Sequence, residues 1–196
     1  MSWIEAVAVA LGIACVFLTV RQNMWCWPTG LVQVVLYIEI FYNARLYSDM
    51  LLQIVYVVLQ AYGWYHWSNG KSALRTDLPV TSLTPRQIGA WLVATLAAAG
   101  AWGELMSRFT DAAAPHADAF IAAASLVAQY LLARKKLESW YWWIAVDLVA
   151  IAVYWSRDLR LTSGLYAVFL GLCLAGVLQW RRSQRAPPLG VTLESA

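Results

Sequence analysis

The chain is poor in charged residues. Only 13% of its 196 residues are charged, whereas 61% are hydrophobic. A soluble domain has about 25% charged and about 45–50% apolar residues. The composition therefore excludes an ordinary soluble domain and predicts a protein whose main partner is the lipid bilayer.

Cysteine and histidine are scarce as well. The three cysteines, Cys15, Cys26 and Cys173, form no CxxC pair, and the two histidines, His66 and His116, lie far from all of them in the sequence. Neither a disulfide framework nor a metal site has this spacing. We expect no cofactor and no metal.

Catalytic motifs are missing too. The sequence has no GxSxG and no HExxH motif, so we interpret the protein as a non-enzyme. A retinal photoreceptor needs a lysine inside its last membrane helix, but Lys71, Lys135 and Lys136 all fall between apolar stretches. The basic residues are dispersed rather than gathered in one patch, which argues against a nucleic-acid partner.

Seven apolar stretches approach the length of about 20 residues that a membrane-spanning helix needs. They cover residues 3–20, 27–45, 50–67, 87–103, 117–133, 140–156 and 162–180. Ten of the fourteen Lys and Arg residues fall on the side of the C-terminus and four on the other side. By the positive-inside rule, this asymmetry predicts an external N-terminus and a cytoplasmic C-terminus in the inner (plasma) membrane.

The sequence also contains an internal repeat. A single constant shift aligns four pairs without a gap: Arg21 with Arg134, Trp27 with Trp140, Gly63 with Gly176, and Trp67 with Trp180. We call this alignment the repeat register and interpret it as a duplicated three-helix unit. Because a unit with an odd number of helices would be inverted in its second copy, the Ala- and Gly-rich fourth helix serves as a linker that restores the direction.

The predicted fold is an all-α membrane protein with seven transmembrane helices, arranged as two parallel three-helix repeats joined by a linker helix. The first repeat covers residues 1–70, the cytoplasmic loop and linker helix 71–112, the second repeat 113–181, and a disordered cytoplasmic tail 182–196. Parallel repeats of this kind occur in transporters, with the substrate site near the membrane midplane between the repeats.

Polar residues form a stripe on the third helix. Gln53, Tyr56, Gln60, Gly63 and Trp67 follow one another at spacings of three and four, so they share one helix face. Glutamine finds no partner in lipid, so this face should point inward. Either the amides bond neighbouring helices, at about 1 kcal/mol or less each, or they contact a substrate.

Two acids stand within apolar stretches, Glu39 in the second and Asp147 in the sixth. A charge at the bilayer centre costs at least about 2.5–3.5 kcal/mol. We therefore expect each acid to be buried among protein groups or to face a wet cavity. It is then either a protonated packing element, or a group that complements a cationic ligand or shuttles protons. Asn43 lies one turn after Glu39, and Trp143 one turn before Asp147.

Aromatic residues accompany these polar groups. Trp143 and Tyr154 share a face with Asp147, and the repeat register carries Gln53 onto Tyr166. Trp64 belongs either to the interfacial belt of the membrane or to the inward face. Inward aromatic rings stack on flat ligands, and a positively charged ring adds a cation–π interaction.

The stretch "FYNARLYSDMLLQIVYVVLQAYGWYHW", preceded by "WCWPTG", resembles the second and third helices of the PnuC family of bacterial vitamin transporters. The positions that match the family pattern are Trp27, Gly30, Leu46, Tyr47, Asp49, Leu52, Gln53, Tyr56, Gly63, Trp64 and Trp67. Of the candidate binding residues, Gln53, Tyr56 and Trp64 lie within this motif. The others follow from helix faces and depth: Asn43, Gln60, Trp143, Asp147, Tyr166 and Glu39.

The resemblance implies a 3+1+3 fold similar in shape to the SWEET sugar transporters, assembled as a homotrimer in the inner membrane. It further implies uptake of nicotinamide riboside by facilitated diffusion, with intracellular phosphorylation as the trap. Thiamine, a second cationic aromatic vitamin, remains an alternative substrate, and riboflavin a third. A membrane channel or scaffold is the alternative from another class.

Overall fold

The computed structural model describes residues 3–43, 45, 47–70, 78–109 and 114–185. Seven α-helices make up most of this part of the chain. They are α1 (Trp3–Val20), α2 (Cys26–Asn43), α3 (Tyr47–Asn69), α4 (Pro85–Phe109), α5 (Pro115–Ala133), α6 (Ser139–Ser156) and α7 (Arg160–Arg185). The prediction of seven helices is confirmed.

Local sequence explains where several helices begin. At the start of α4, the backbone N–H of Thr84 donates to Gln87 Oε1 at 2.9 Å, and the N–H of Gln87 donates to Thr84 Oγ1 at 3.3 Å. This reciprocal pair satisfies backbone donors that a helix start leaves without partners. Both α4 and α5 also begin with a proline, which fits the first turn of a helix.

Helices α4 and α7 run furthest beyond their predicted ends. Helix α4 extends to Phe109 and α7 to Arg185, where the sequence predicted ends at 103 and 180. The first four residues of the predicted tail 182–196 are therefore helical, because α7 continues past the apolar stretch into an Arg-rich turn. Residues 186–196 and the first seven residues of the predicted loop, 71–77, lie outside the described residues.

Within the described residues, four helices, α1, α4, α5 and α7, are long and apolar enough to cross a membrane by length and composition. The remaining three contain more polar and aromatic side chains, among them Gln33 in α2, Gln53 in α3 and Asp147 in α6. Their lower hydropathy has a structural reason, because these side chains line a central cavity.

Six helices close into a ring. Each packs against the next in the order α1, α2, α3, α5, α6, α7, and α7 packs against α1. Helix α4 lies outside this ring against α5. Trp142 of α6 also reaches it, because its Nε1 donates to Thr95 Oγ1 at 3.2 Å.

Helices α1, α3, α5 and α7 all end on the same side of the molecule. Near the ends of α7 and α1, Trp180 Nε1 donates to the carbonyl oxygen of Thr19 at 3.1 Å. Near the ends of α3 and α5, the rings of Tyr62 and Tyr130 stack with their centroids 6.2 Å apart. We call this side the tryptophan end, because Trp27, Trp67, Trp140 and Trp180 are all buried there.

The two halves of the chain repeat an unusual backbone turn. Gln22, after α1, has φ of 55°, and Lys135, its equivalent in the repeat register, has φ of 52°. Arg45, after α2, has φ of 58°, and its equivalent Asp158 has φ of 59°. Positive φ is uncommon for residues other than glycine, so the loops after α1 and α5, and after α2 and α6, share a specific geometry.

The same register links two glycine–tryptophan contacts. The rings of Trp27 and Trp67 meet edge to face with centroids 5.2 Å apart, and those of Trp140 and Trp180 do so at 5.4 Å. A Cβ atom at Gly63 would overlap the ring of Trp27, and one at Gly176 would overlap Trp140. Each glycine therefore lets its helix approach a tryptophan of the neighbouring helix.

A short extended segment covers the tryptophan end. The N–H of Thr81 donates to the carbonyl of Lys135 at 3.1 Å, and the N–H of Leu137 donates to the carbonyl of Thr81 at 2.9 Å. Glu138, which is buried, accepts the N–H of Leu83 at 3.0 Å. The segment between α3 and α4 is thereby tied to the turn between α5 and α6.

Candidate substrate cavity

A cavity of about 450 Å³ lies inside the ring. All six ring helices line it, and α4 contributes none of its lining residues. It is therefore built jointly by the first three helices and the last three. Its volume falls within the range of about 300–1,000 Å³ that is typical of small-molecule sites.

Amide side chains line much of the cavity. Gln33 of α2, Gln53 and Gln60 of α3, and Gln129 of α5 all face it. Two of these amides lie against glycines, because a Cβ at Gly30 would overlap the amide of Gln60, just as one at Gly12 would overlap that of Gln33. Donors and acceptors of this kind suit the hydroxyl groups of a sugar.

Aromatic rings line the part of the cavity formed by α6 and α7. Tyr154 and Tyr166 stack with centroids 5.3 Å apart, and Tyr166 meets Phe169 edge to face at 6.0 Å. Trp143 of α6 faces the same cavity. This wall presents flat surfaces against which an aromatic ligand can stack.

One carboxyl group belongs to the lining. Asp147 is 3% exposed, and its Oδ2 accepts a hydrogen bond from Cys173 Sγ at 3.4 Å. A thiol is a weak donor, so this contact compensates little of a negative charge. The lining residues include no Lys, Arg or His in the described part of the chain. Asp147 is thus placed to complement a single positive charge on a ligand.

Four tryptophans close the cavity at one end. Trp27 and Trp140 belong to the lining, while Trp67 and Trp180 lie between them, with their own ring centroids 6.0 Å apart. Trp27 and Trp140 are 1% exposed. Phe41 and Thr162, which line the opposite end, are only half-buried. The tryptophan end is therefore the closed end of the cavity.

The structure brings together six of the nine predicted binding residues. The six that line the cavity are Gln53, Tyr56, Gln60, Trp143, Asp147 and Tyr166. Tyr56 and Ser125 are also linked, because the Tyr56 hydroxyl donates to Ser125 Oγ. The polar stripe of α3 thus faces inward, as expected from the cost of placing amides in lipid.

Three predicted residues lie elsewhere. Glu39 and Asn43 are exposed, and Asn43 Nδ2 donates to Glu39 Oε1 at 2.8 Å. Helix α2 faces the cavity through Val34, Tyr37 and Phe41, and at about 100° per residue Glu39 falls on the opposite face. The expectation that Glu39 faces the cavity or is buried among protein groups was wrong.

Trp64 also lies outside the lining and is 42% exposed. The inward stripe of α3 continues through Gly63 and Trp67, and Trp64 stands one position off that line. Of the two interpretations of this residue, the structure favours a place on the outer surface.

Sequence analysis missed several lining residues. Gln33 and Gln129 are amides within apolar helices, so the argument applied to Gln53 would have identified both. Tyr37 and Thr162 also line the cavity, but no sequence pattern indicated that they face inward. Their position depends on the rotation of α2 and α7 within the ring.

A ring of membrane helices around a central cavity lined by amides, aromatic rings and one acid is the architecture of a small-molecule transporter. The comparison with known families agrees. The chain belongs to the nicotinamide mononucleotide transporter family, whose family model matches residues 2–182. The resemblance to PnuC proteins is confirmed, and the chain is a multi-pass membrane transporter.

Curated relatives are similar over nearly the whole chain. The nicotinamide riboside transporter PnuC of Escherichia coli (strain K12) is 26% identical over 209 residues, covering 94% of this chain and 87% of the relative. The riboflavin/roseoflavin transporter RibM of Streptomyces davaonensis is 28% identical over 186 residues, covering 93% and 87%. The relatives thus have different named substrates.

A solved structure supports the fold. The crystal structure of the vitamin B3 transporter PnuC matches with a TM-score of 0.75 and 27% identity, covering 93% of this chain and 82% of that one. The arrangement of helices described above is therefore that of a known transporter.

Proposed function

We propose that this protein takes up nicotinamide riboside by facilitated diffusion and that intracellular phosphorylation traps the vitamin. The observation on which this rests is Asp147, a carboxyl group in an aromatic-lined cavity. Nicotinamide riboside joins a positively charged pyridinium ring to an uncharged ribose. The rings of α6 and α7 suit the pyridinium, and the amides of α2, α3 and α5 suit the ribose.

The same cavity disfavours the phosphorylated vitamin. A phosphate group calls for Arg, Lys or a helix N-terminus, and the described lining residues include no basic side chain. Asp147 would repel the phosphate. We therefore favour the nucleoside over the mononucleotide after which the family is named.

Thiamine remains the second candidate, because it is also a cationic aromatic vitamin. Riboflavin is the third, on the strength of the similarity to RibM. Its uncharged ring system gains no ionic interaction from Asp147.

We further propose that the seven helices form two parallel three-helix repeats, α1–α3 and α5–α7, with α4 as the linker. The left-handed turns shared by equivalent positions of the repeat register and the matching glycine–tryptophan contacts support this. The position of α4 outside the ring fits a linker.

We propose that the tryptophan end faces the cytoplasm, with the N-terminus outside, because the loops at that end hold Arg134, Lys135 and Lys136, and α7 ends there with Arg181 and Arg182.

A homotrimer follows from the family resemblance alone, and cross-linking of the protein in native membranes tests it.

Binding and uptake measurements test the proposed function. Purified protein should bind nicotinamide riboside more tightly than thiamine, riboflavin or nicotinamide mononucleotide. In proteoliposomes, a vitamin concentration that is higher outside than inside should drive uptake. An imposed proton gradient should leave the rate of uptake unchanged. Binding of none of these compounds would favour a channel or scaffold, and stimulation by the proton gradient would contradict facilitated diffusion.

A further inference from the structure

The two halves of the ring meet along two seams, α3 against α5 and α1 against α7. In the repeat register the two seams are equivalent, so a symmetrical carrier would open both alike. Their contacts differ. The difference leads to an inference about transport that rests on the proposed carrier function.

The seams differ first at mid-membrane. In the α3–α5 seam, the Tyr56 hydroxyl donates to Ser125 Oγ, and Ser125 in turn donates to the carbonyl of Ala122 at 3.0 Å. The equivalent positions in the α1–α7 seam are Phe169 and Gly12. Phe169 has no hydroxyl, and its Cζ lies 3.6 Å from the place that a Cβ at Gly12 would take. This contact is purely apolar.

They differ again near the tryptophan end. In the α3–α5 seam, the Tyr62 ring stacks on Tyr130, and Trp91 of α4 packs against Tyr130 with centroids 5.5 Å apart. The equivalent positions in the α1–α7 seam are Ala175 and Phe17, of which the alanine has no ring to stack. Helix α4 packs against α5, one of the two helices of this seam.

The tryptophan contacts across the two seams differ as well. Lys135 Nζ lies over the Trp67 ring, 4.6 Å from its centroid, which ties α3 to the α5–α6 turn. In the α1–α7 seam, the bond from Trp180 Nε1 to the Thr19 carbonyl holds the tryptophan end together. Trp180 also packs against Trp67 of α3 with ring centroids 6.0 Å apart, so opening this seam parts one hydrogen bond to a backbone oxygen and one tilted ring contact.

We propose that the α3–α5 seam is the hinge of this transporter and that the α1–α7 seam parts at the tryptophan end to release the substrate. The Trp180–Thr19 hydrogen bond is the latch of the opening seam. The Tyr56–Ser125 bond and the Tyr62–Tyr130 stack hold the hinge. Because the four tryptophans close the cavity at this end, opening one side of their cluster is sufficient to give the substrate a path.

Cross-linking of matched exposed pairs tests the proposal. Arg21→Cys with Leu178→Cys places thiols directly after α1 and on α7, and Arg134→Cys with Tyr65→Cys places thiols at the equivalent positions after α5 and on α3. Each full-length double variant is treated with bifunctional methanethiosulfonate reagents of graded span, and uptake of nicotinamide riboside into proteoliposomes is measured before and after reduction. We expect the α1–α7 link to abolish uptake until it is reduced, with unchanged ligand affinity. The α3–α5 link should leave uptake intact.

Single-cysteine variants treated with the same reagents control for the three native cysteines. If a pair prevents folding, Arg21→Cys with Leu174→Cys and Arg134→Cys with Ala61→Cys provide a second matched set at exposed positions that leaves the hinge contacts intact. Loss of uptake with the α3–α5 link, or the same result with both links, would overturn the hinge assignment. Absence of nicotinamide riboside binding before any cross-linking would instead refute the proposed function.

Discussion

Among single residues, the two acids of the membrane helices have different surroundings. Asp147 is buried in the cavity wall beside Cys173, whereas Glu39 is exposed on the outer face of α2 beside Asn43. Their sequence contexts are similar, since each lies in an apolar stretch. The rotation of each helix decides which acid can meet a ligand.

The carboxyl group of Asp147 should contribute through its charge. We expect Asp147→Asn to weaken binding of cationic nicotinamide riboside by about 10- to 100-fold, the value of a hydrogen bond to a charged group of about 1.5–3 kcal/mol. Binding of the uncharged dihydro form should change much less. Calorimetric titration of both ligands measures this, and Glu39→Gln serves as the control. Equal losses for the two ligands would indicate a packing role.

The amide of Gln53 should contribute a neutral hydrogen bond. We expect Gln53→Ala to weaken binding by about 2- to 10-fold, since such a bond contributes about 0.5–1.5 kcal/mol, with the thermal unfolding temperature nearly unchanged. Gln179→Ala, an exposed amide on α7, should leave the affinity as it is. If the affinity of the Gln53→Ala variant were unchanged, Gln53 would not contact the ligand.

Among the helices, two packed pairs depend on glycine. Helix α3 approaches α2 at Gly63, where Trp27 occupies the space of a side chain, and α7 approaches α6 at Gly176 over Trp140. These close contacts lie at the tryptophan end, where the cavity is closed. Gly100 of α4 has no such role, since nothing lies within 4 Å of a Cβ built there.

This contrast predicts opposite effects of one substitution. Gly63→Ala or Gly176→Ala should lower the free energy of unfolding by about 1–3 kcal/mol, because a methyl group would force a tryptophan ring to move. Gly100→Ala should leave stability unchanged or raise it by up to about 1 kcal/mol, since alanine favours the helix. Thermal unfolding in detergent measures all three. A stable Gly63→Ala protein would mean that the Trp27 ring can shift freely.

In the molecule as a whole, all three cysteines of the chain lie at the cavity. Cys15 of α1, Cys26 of α2 and Cys173 of α7 line it. The reactivity of these thiols, which belong to three helices from both halves of the chain, therefore measures access to a single cavity. No other position in the chain carries a native thiol.

Ligand protection of these thiols tests whether the cavity is the substrate site. We expect saturating nicotinamide riboside to slow alkylation of Cys15 and Cys173 by N-methylmaleimide, because a bound ligand blocks access. Intact-protein mass spectrometry follows the reaction. A cysteine introduced at the exposed position Leu178 should react at the same rate with and without ligand. Equal rates at the cavity thiols would place the ligand elsewhere.

The number of helices, most of their ends and the inward stripe of α3 could all be predicted from the order of the residues. These properties are local, because the length of an apolar stretch and a spacing of three and four depend only on neighbouring residues. The repeat register could be predicted as well, because it compares residue types at one constant shift and needs no contacts; it pairs Gly63 with Gly176.

Which side chains meet depended instead on how the helices pack. Packing closed the ring through α1–α7 and α3–α5, turned Glu39 outward, added Gln33 and Gln129 to the cavity and made the two seams different. Each of these facts depends on the rotation of one helix against another that is distant in sequence. Hydropathy and periodicity define a face of a helix, but the side chains of its neighbours decide what that face contacts.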